Sequence, residues 1–250
     1  MRTPASPPMR SHNPALRDDV FTATRLDGSG TMTVQGTVNK TALLLVLAVA
    51  TATASWVLGT SGGSGVAGWV LVASLAGLGV AIATIVRPRW SPVTAPIYAL
   101  VQGVVLGVVS MWFEASYPGI AIQAVALTFG VMGAMLVLYK TRVIKVTQRF
   151  RTGVIAATLA IAGVYLVAFL LGLFGVRVPF LYDASPLGIL ISLAIVAVAA
   201  LNLVLDFDLI ERGARSGAPA YMEWYAAFGL LVTLVWLYLE LLRLLGRLRR

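Results

Sequence analysis

Seven long apolar stretches, each of about 20 residues, follow Lys40 and set the range of possible folds. A helix of about 20 apolar residues spans the ~30 Å hydrocarbon core of a bilayer. The strict apolar–polar alternation of transmembrane strands is missing from them. The sequence therefore predicts an all-α polytopic membrane protein with seven transmembrane helices. The predicted spans are residues 41–59, 66–86, 93–113, 119–139, 153–175, 186–210 and 222–245.

The composition supports a membrane protein and divides the chain into three parts. Hydrophobic residues make up 59% of the chain and charged residues only 12%, whereas soluble domains carry about a quarter charged residues. Residues 1–39 are polar and lack the apolar core of a signal peptide, so we expect a disordered tail. Residues 40–246 form the predicted seven-helix domain, and residues 247–250 form a basic end.

The distribution of basic residues predicts the orientation. If every stretch crosses, fourteen of the 19 lysines and arginines lie on the face of the N-terminus and five on the other. Basic residues favour the cytoplasmic side, so we expect a cytoplasmic N-terminus. The C-terminal arginines conflict with this, since seven crossings place them outside. Either the last helix does not cross fully, or the early loops dominate.

Asp206 is the most unusual residue of the sixth stretch, which carries no charge from Pro186 to Leu205. A carboxylate at the centre of a bilayer costs ~3 kcal/mol, so it persists where a partner or a function compensates. Burial favours the neutral carboxyl, and a nearby arginine favours the charged one. This competition predicts a proton-sensitive latch at Asp206. A plainer alternative is a packing hydrogen bond to Asn202 or to a neighbouring helix.

Three charged residues are candidate partners of Asp206. Arg87 ends the second stretch at a matching depth, and Glu223 begins the seventh on the same side. Glu240 lies near the far end of the seventh stretch with Arg243 three residues later, which favours an interfacial ion pair.

Two further acids precede arginines by four residues, the order that stabilises helices. Asp208 precedes Arg212, and Glu211 precedes Arg215. Asp208 points about 200° away from Asp206 around a helix, so the two aspartates cannot share one partner. We interpret both acidic–basic pairs as solvated ion pairs at a helix exit.

Several missing residue types exclude classes of function. There are no cysteines, which excludes thiol catalysis, and the single histidine, His12, lies in the tail. The seventh stretch has no lysine, which excludes a retinal Schiff base. Gly103 and Gly107 indicate close helix packing rather than a site. We expect no enzyme activity, no cofactor, no metal site and no nucleic-acid partner; the bilayer itself is the predicted partner.

Several sequence blocks resemble the Bax inhibitor-1 (transmembrane Bax inhibitor motif) family. They are residues 96–110 (PIYALVQGVVLGVVS), 117–124 (YPGIAIQA), 201–211 (LNLVLDFDLIE) and 229–246 (GLLVTLVWLYLELLRLLG). Residues 11–16 (SHNPAL) resemble the tail of a bacterial branch of that family. The resemblance covers residues 40–246.

The resemblance implies a bundle whose last helix is wrapped by the other six, and a pH-sensitive calcium leak. The leak would be governed by an aspartate pair on the sixth and seventh helices and an arginine on the second. Asp206 matches the sixth-helix aspartate, and Arg87 matches the arginine, with Arg89 the alternative. The second acid is open: one alignment supplies Glu240, and another places Thr233 there.

Two functions follow from these observations. The first is a pH-sensitive cation leak of the inner membrane, with calcium the expected ion and Asp206 the gate. The alternative is a non-conducting regulator that binds other membrane proteins, such as a quality-control protease. The open second acid and the long polar tail favour the alternative.

Overall fold

All seven predicted stretches are helical in the computed structural model, which describes residues 30–60, 66–175 and 185–249. A 3-10 turn, Pro88–Trp90, joins α2 to α3. The described residues contain no strand, and the predicted all-α class is confirmed. The helices are α1 (Val34–Thr60), α2 (Val66–Val86), α3 (Ser91–Ser116), α4 (Ile120–Lys140), α5 (Gln148–Leu173), α6 (Pro186–Arg215) and α7 (Tyr221–Leu248).

The helices are long and apolar enough for a multi-pass membrane protein. Six of them meet the length and hydropathy of a membrane span, and α2 contributes a shorter apolar segment, Val70–Val86. Large apolar side chains point outward from the bundle, including Val46, Leu71 and Ile122 at 60–70% exposure. A soluble protein would bury such a surface, whereas here it contacts lipid.

Two helices, α1 and α5, begin five or more residues earlier than the hydropathy predicts. α1 begins at Val34, so residues 34–39 are helical rather than part of the tail; residues 1–29 lie outside the described residues. Thr33 caps α1, because its hydroxyl accepts a hydrogen bond from the Gly36 N–H at 2.9 Å. Thr147 caps α5 in the same way, through the Phe150 N–H at 3.2 Å. Because of these caps, α1 and α5 begin in polar sequence, before the apolar residues that indicate a membrane span.

The last helix is the most buried one among the described residues, but four of the other helices pack closely along it, not the six that the resemblance implies. α7 packs against α1, α3, α4 and α6, while α2 packs mainly on the outer side of α3. In the apolar window of α7, 67% of the residues are buried, against 11% for α5. The core therefore follows the length of α7, and any polar group that faces α7 in mid-bundle is shielded from water.

The C-terminal arginines bear on whether α7 crosses the bundle. The Arg247 guanidinium donates to the Gly188 carbonyl at 2.7 Å and contacts the Ser192 hydroxyl, both at the start of α6. Arg249 donates to the Pro118 carbonyl at 2.8 Å, between α3 and α4. α7 therefore ends on the face of the bundle opposite the N-terminus of α1, which favours the alternative in which it crosses fully.

Candidate functional site

Asp206 lies in mid-bundle on the face of α6 that meets α7. Its Oδ2 atom is buried and has no hydrogen-bond partner. Opposite it, α7 presents Gly229, where an added Cβ would lie 3.9 Å from Asp206 Oδ1. The hydrogen-bonding side chain that α7 offers to Asp206 is Thr233, whose hydroxyl also bonds the Gly229 carbonyl at 3.2 Å. This contact between Asp206 of α6 and residues 229–233 of α7 is called the α6–α7 seam below.

The residues at the seam distinguish the two alignments, which place either Glu240 or Thr233 at the position of the second acid. Thr233 faces Asp206, and Glu240 lies seven residues further along α7, which is about 10 Å at 1.5 Å per residue. A hydroxyl thus stands where the resemblance expects a carboxylate. Asp206 and Glu240 do not meet.

Arg87 is not brought to Asp206. Arg87 is exposed, and its guanidinium lies 4.7 Å from the centre of the Trp90 ring. The ion pairs formed by the described residues do not include an Arg87–Asp206 pair. The 3-10 turn directly after Arg87 places Trp90 beneath it, and α2 packs on α3 rather than on the seam. Arg89 is exposed as well.

Asp208 is held in an ion pair outside the seam. Its Oδ2 lies 2.7 Å from the Arg212 guanidinium, as the four-residue spacing predicts, and 2.9 Å from that of Arg151. Arg151 comes from the first turn of α5, a partner that the sequence analysis missed. Glu211 pairs with Arg215 as predicted. The two aspartates serve different partners, in line with their opposite helix faces.

Of the plainer alternative, the Asn202–Asp206 bond is not observed, whereas Thr233 offers Asp206 a hydrogen bond from a neighbouring helix. The Asn202 amide donates to the Thr158 hydroxyl at 2.7 Å and to the Val198 carbonyl at 2.9 Å. Asn202 therefore links α6 to α5, and Asp206 keeps its free oxygen atom.

Glu240 forms a second buried carboxylate site. It is 1% exposed, and its Oε1 accepts hydrogen bonds from the Tyr165 hydroxyl at 2.5 Å and the Arg243 guanidinium at 2.7 Å. Its Oε2 atom is buried without a partner. The predicted pair with Arg243 is confirmed, but the acid is enclosed by Tyr165 of α5 rather than exposed at the interface.

Glu223 is fully engaged near the N-terminal face. It is 6% exposed, and its Oε1 accepts hydrogen bonds from the Thr33 N–H at 2.7 Å and the Thr33 hydroxyl at 2.8 Å. Its Oε2 pairs with Lys40, whose ammonium lies 5.5 Å from the centre of the Trp224 ring. Sequence analysis missed this cluster, because Thr33 is 190 residues away from Glu223 along the chain.

A family comparison agrees with this architecture. The family model described as Bax inhibitor 1 like matches residues 13–250. The chain belongs to this family. The match extends on both sides of residues 40–246, where the sequence blocks resemble the family. No curated protein matches the chain.

This Bax inhibitor 1-like chain has few groups for holding a metal. The described residues contain no group of three or more His, Cys, Asp or Glu side chains. Calcium takes six to eight oxygen ligands in stable sites. Asp206 and Thr233 offer three side-chain oxygen atoms, fewer than such a site requires.

The protein also has a cavity of about 490 Å³ at the side of the bundle. It lies between α1, α3 and α4, with α7 as its floor, and its lining residues do not include Asp206. Two lining residues, Ser110 of α3 and Tyr238 of α7, share a hydrogen bond of 2.6 Å between their hydroxyls. Leu231 of the seam segment lines the cavity, but the cavity does not reach Asp206.

Proposed function

We propose that this protein is a proton-sensitive cation leak of the inner membrane, with calcium as the expected ion and Asp206 as its gate. One observation carries the proposal: Asp206 has a buried carboxylate oxygen atom in mid-bundle without a hydrogen bond, and it takes part in none of the ion pairs of the described residues. Structural acids in membranes are normally paired, and an unpaired one marks an ion or proton pathway. The basic residues favour a cytoplasmic N-terminus. The proposed role is transport, without enzyme activity.

The burial of Asp206 gives the direction of the pH response. The closed seam surrounds Oδ2 with protein and no counter-charge, so it holds the neutral carboxyl at lower cost than the ionised one. A proton thus stabilises the closed seam, and its loss favours a hydrated, open one. Flux should therefore rise as the pH rises.

The test is cation flux into liposomes over a pH series, with Asp206→Asn beside the parent. Asparagine has the shape of the neutral acid, so we expect low flux that no longer changes with pH. Asp208→Asn is the matched control, because Asp208 is paired with arginines outside the seam, and it should keep the parent's response. An Asp206→Asn variant with the parent's pH profile would contradict the gate.

A non-conducting regulator of other membrane proteins is the second candidate. Thr233 favours it, because a hydroxyl facing Asp206 cannot share a proton as a second acid does. In that case parent liposomes would leak no more than empty ones. Capture of a membrane protease by the full chain, lost on deletion of residues 1–29, would then support the regulator. The deletion stops before Gly30, whose backbone contacts the α6–α7 loop.

A further inference from the structure

Residues 30–33 form a strap that crosses the N-terminal face and pairs with the loop between α6 and α7. The Met32 N–H donates to the Ala218 carbonyl at 2.7 Å, and the Ala220 N–H donates to the Gly30 carbonyl at 2.8 Å. Thr31 and Pro219 face each other between these bonds as an antiparallel bridge. The strap is therefore fixed by its backbone to the point where the two helices of the seam are joined.

The side chain of Met32 enters the bundle from this strap. Met32 is 3% exposed and belongs to the buried cluster that also contains Ile210 and Ala226. It lies against Gly213 of α6, where an added Cβ would stand 2.7 Å from the Met32 sulfur. The absence of a side chain at Gly213 leaves room for the end of the Met32 side chain, which packs directly on the α6 backbone there.

Glu223 fastens the other end of the strap. It receives both the N–H and the hydroxyl of Thr33, while Lys40 neutralises its charge. Gly36 faces this carboxylate, and an added Cβ there would overlap it. The start of α1 and the start of α7 are thus clamped through a desolvated, fully bonded acid.

Met32 lies between Asp206 and the N-terminal face. Gly213, which Met32 contacts, follows Asp206 by two turns of α6, about 10 Å. On α7, Ala226 precedes Gly229 by about one turn. The Met32 side chain is therefore buried about two turns of α6 from Asp206, between the α6–α7 seam and the N-terminal face from which the solution would reach Asp206.

We propose that the strap is a plug that closes the N-terminal entrance to Asp206. Opening requires Met32 to leave its place against Gly213 while the strap separates from the α6–α7 loop. This regulation rests on the proposed leak, but the position of the plug can be tested without any flux.

The first test locks the strap with a disulfide. Thr31 and Pro219 are a non-hydrogen-bonded pair, with Cα atoms about 4.5 Å apart, which is within the range of a disulfide. The chain has no cysteine, so a Thr31→Cys/Pro219→Cys variant has a single possible bridge. Oxidation should lower calcium flux to the level of empty liposomes, and reductant should restore it. The two single-cysteine variants are controls that oxidant should not change. A locked protein that conducts as well as the reduced one overturns the plug.

The second test measures directly whether water-soluble reagents can pass Met32 and reach Ala226, about one turn of α7 before the seam. In an Ala226→Cys background, labelling by a water-soluble maleimide should be slow while Met32 is present. Met32→Gly should speed it about tenfold or more, because the population of open states rises with the burial that is lost. Met32→Leu keeps the volume and should remain slow. Labelling that is equally slow in all three overturns the plug. If no variant conducts but Met32→Gly labels faster, the plug stands and the leak is rejected.

Discussion

At the scale of single residues, three acids inside the bundle are treated differently. Glu223 receives Lys40 and both polar groups of Thr33, and Glu240 receives Arg243 and Tyr165. Asp206 faces only a hydroxyl and takes part in none of the ion pairs of the described residues, although Glu240 and Asp206 alike keep one buried oxygen atom without a hydrogen bond. The contacts of Glu223 and Glu240 indicate a structural role. Asp206 is the acid whose negative charge, when it is ionised, is not paired with a basic side chain among the described residues.

Glu240 provides the prediction at this scale. Glu240→Ala leaves the Tyr165 hydroxyl and the Arg243 guanidinium without their acceptor, which costs 3–5 kcal/mol when both partners are buried. Arg243 is 41% exposed and regains water, so we expect a loss of about 2–3 kcal/mol. Glu240→Gln keeps an acceptor oxygen and should lose less than half of that. Unfolding in detergent–denaturant mixtures measures both. Equal losses would contradict a role based on hydrogen bonding.

Contacts between charged residues that are close in the sequence could be predicted, whereas contacts between residues far apart in the sequence could not. The Asp208–Arg212 and Glu240–Arg243 pairs lie within one helical turn, so helix geometry alone predicts them. The Thr33–Glu223 contact depends on how α1 packs against α7, which no local spacing encodes. Arg87 was matched to Asp206 because of the family resemblance and because both residues have a similar predicted depth in the membrane. Neither argument takes account of the 3-10 turn that stacks Arg87 on Trp90.

At the scale of helices, α1 and α3 pack most closely where two glycines of α3 meet the α1 backbone. An added Cβ on Gly103 would overlap the Ala48 carbonyl, and one on Gly107 would overlap the Ala52 carbonyl. The Ser55 hydroxyl of α1 also donates to the Val104 carbonyl of α3 at 3.2 Å. The packing interpretation of these glycines is therefore confirmed, since small residues let membrane helices approach.

A pair of glycine substitutions tests this contact. Gly103→Ala must push α1 away or distort α3, and overpacking of this kind costs about 1–3 kcal/mol. Gly130→Ala of α4 is the matched control, because nothing lies within 4 Å of an added Cβ there. The control should be neutral or stabilising by up to about 1 kcal/mol, through helix propensity. Thermal unfolding in detergent measures both. Equal shifts in Tm for the two variants would rule out close packing at Gly103.

Helix positions were predictable because lipid requires long apolar runs, but helix ends depended on local chemistry. The hydropathy pattern placed α2 at residues 66–86, as observed. It missed the starts of α1 and α5, where Thr33 and Thr147 cap polar first turns. It also missed the extension of α6 to Arg215, which the ion pairs of Asp208 and Glu211 support.

At the scale of the whole molecule, the C-terminal arginines conflict with the orientation that the number of basic residues on each face predicts. The contacts of these arginines give them a structural role that accounts for their position. Arg247 and Arg249 bond the backbone carbonyls of Gly188 and Pro118, at the ends of other helices. Their charges are thus used to join helix ends on the face opposite the N-terminus of α1. Basic residues with such a role can lie on the outer face without reversing the orientation that the loops favour.

Orientation can be tested with two matched serines, because the chain has no cysteine of its own. Ser116 is exposed at the end of α3 on the face of the α7 C-terminus, and Ser216 is exposed between α6 and α7 on the opposite face. In intact spheroplasts, a membrane-impermeant maleimide should label Ser116→Cys and spare Ser216→Cys until the membrane is permeabilised. The reverse pattern would contradict a cytoplasmic N-terminus. Labelling of both from outside would contradict the separation of these two faces by the bilayer. The expected pattern also places the strap and the Met32 plug on the cytoplasmic side, so the plug would close the seam against cytoplasmic ions.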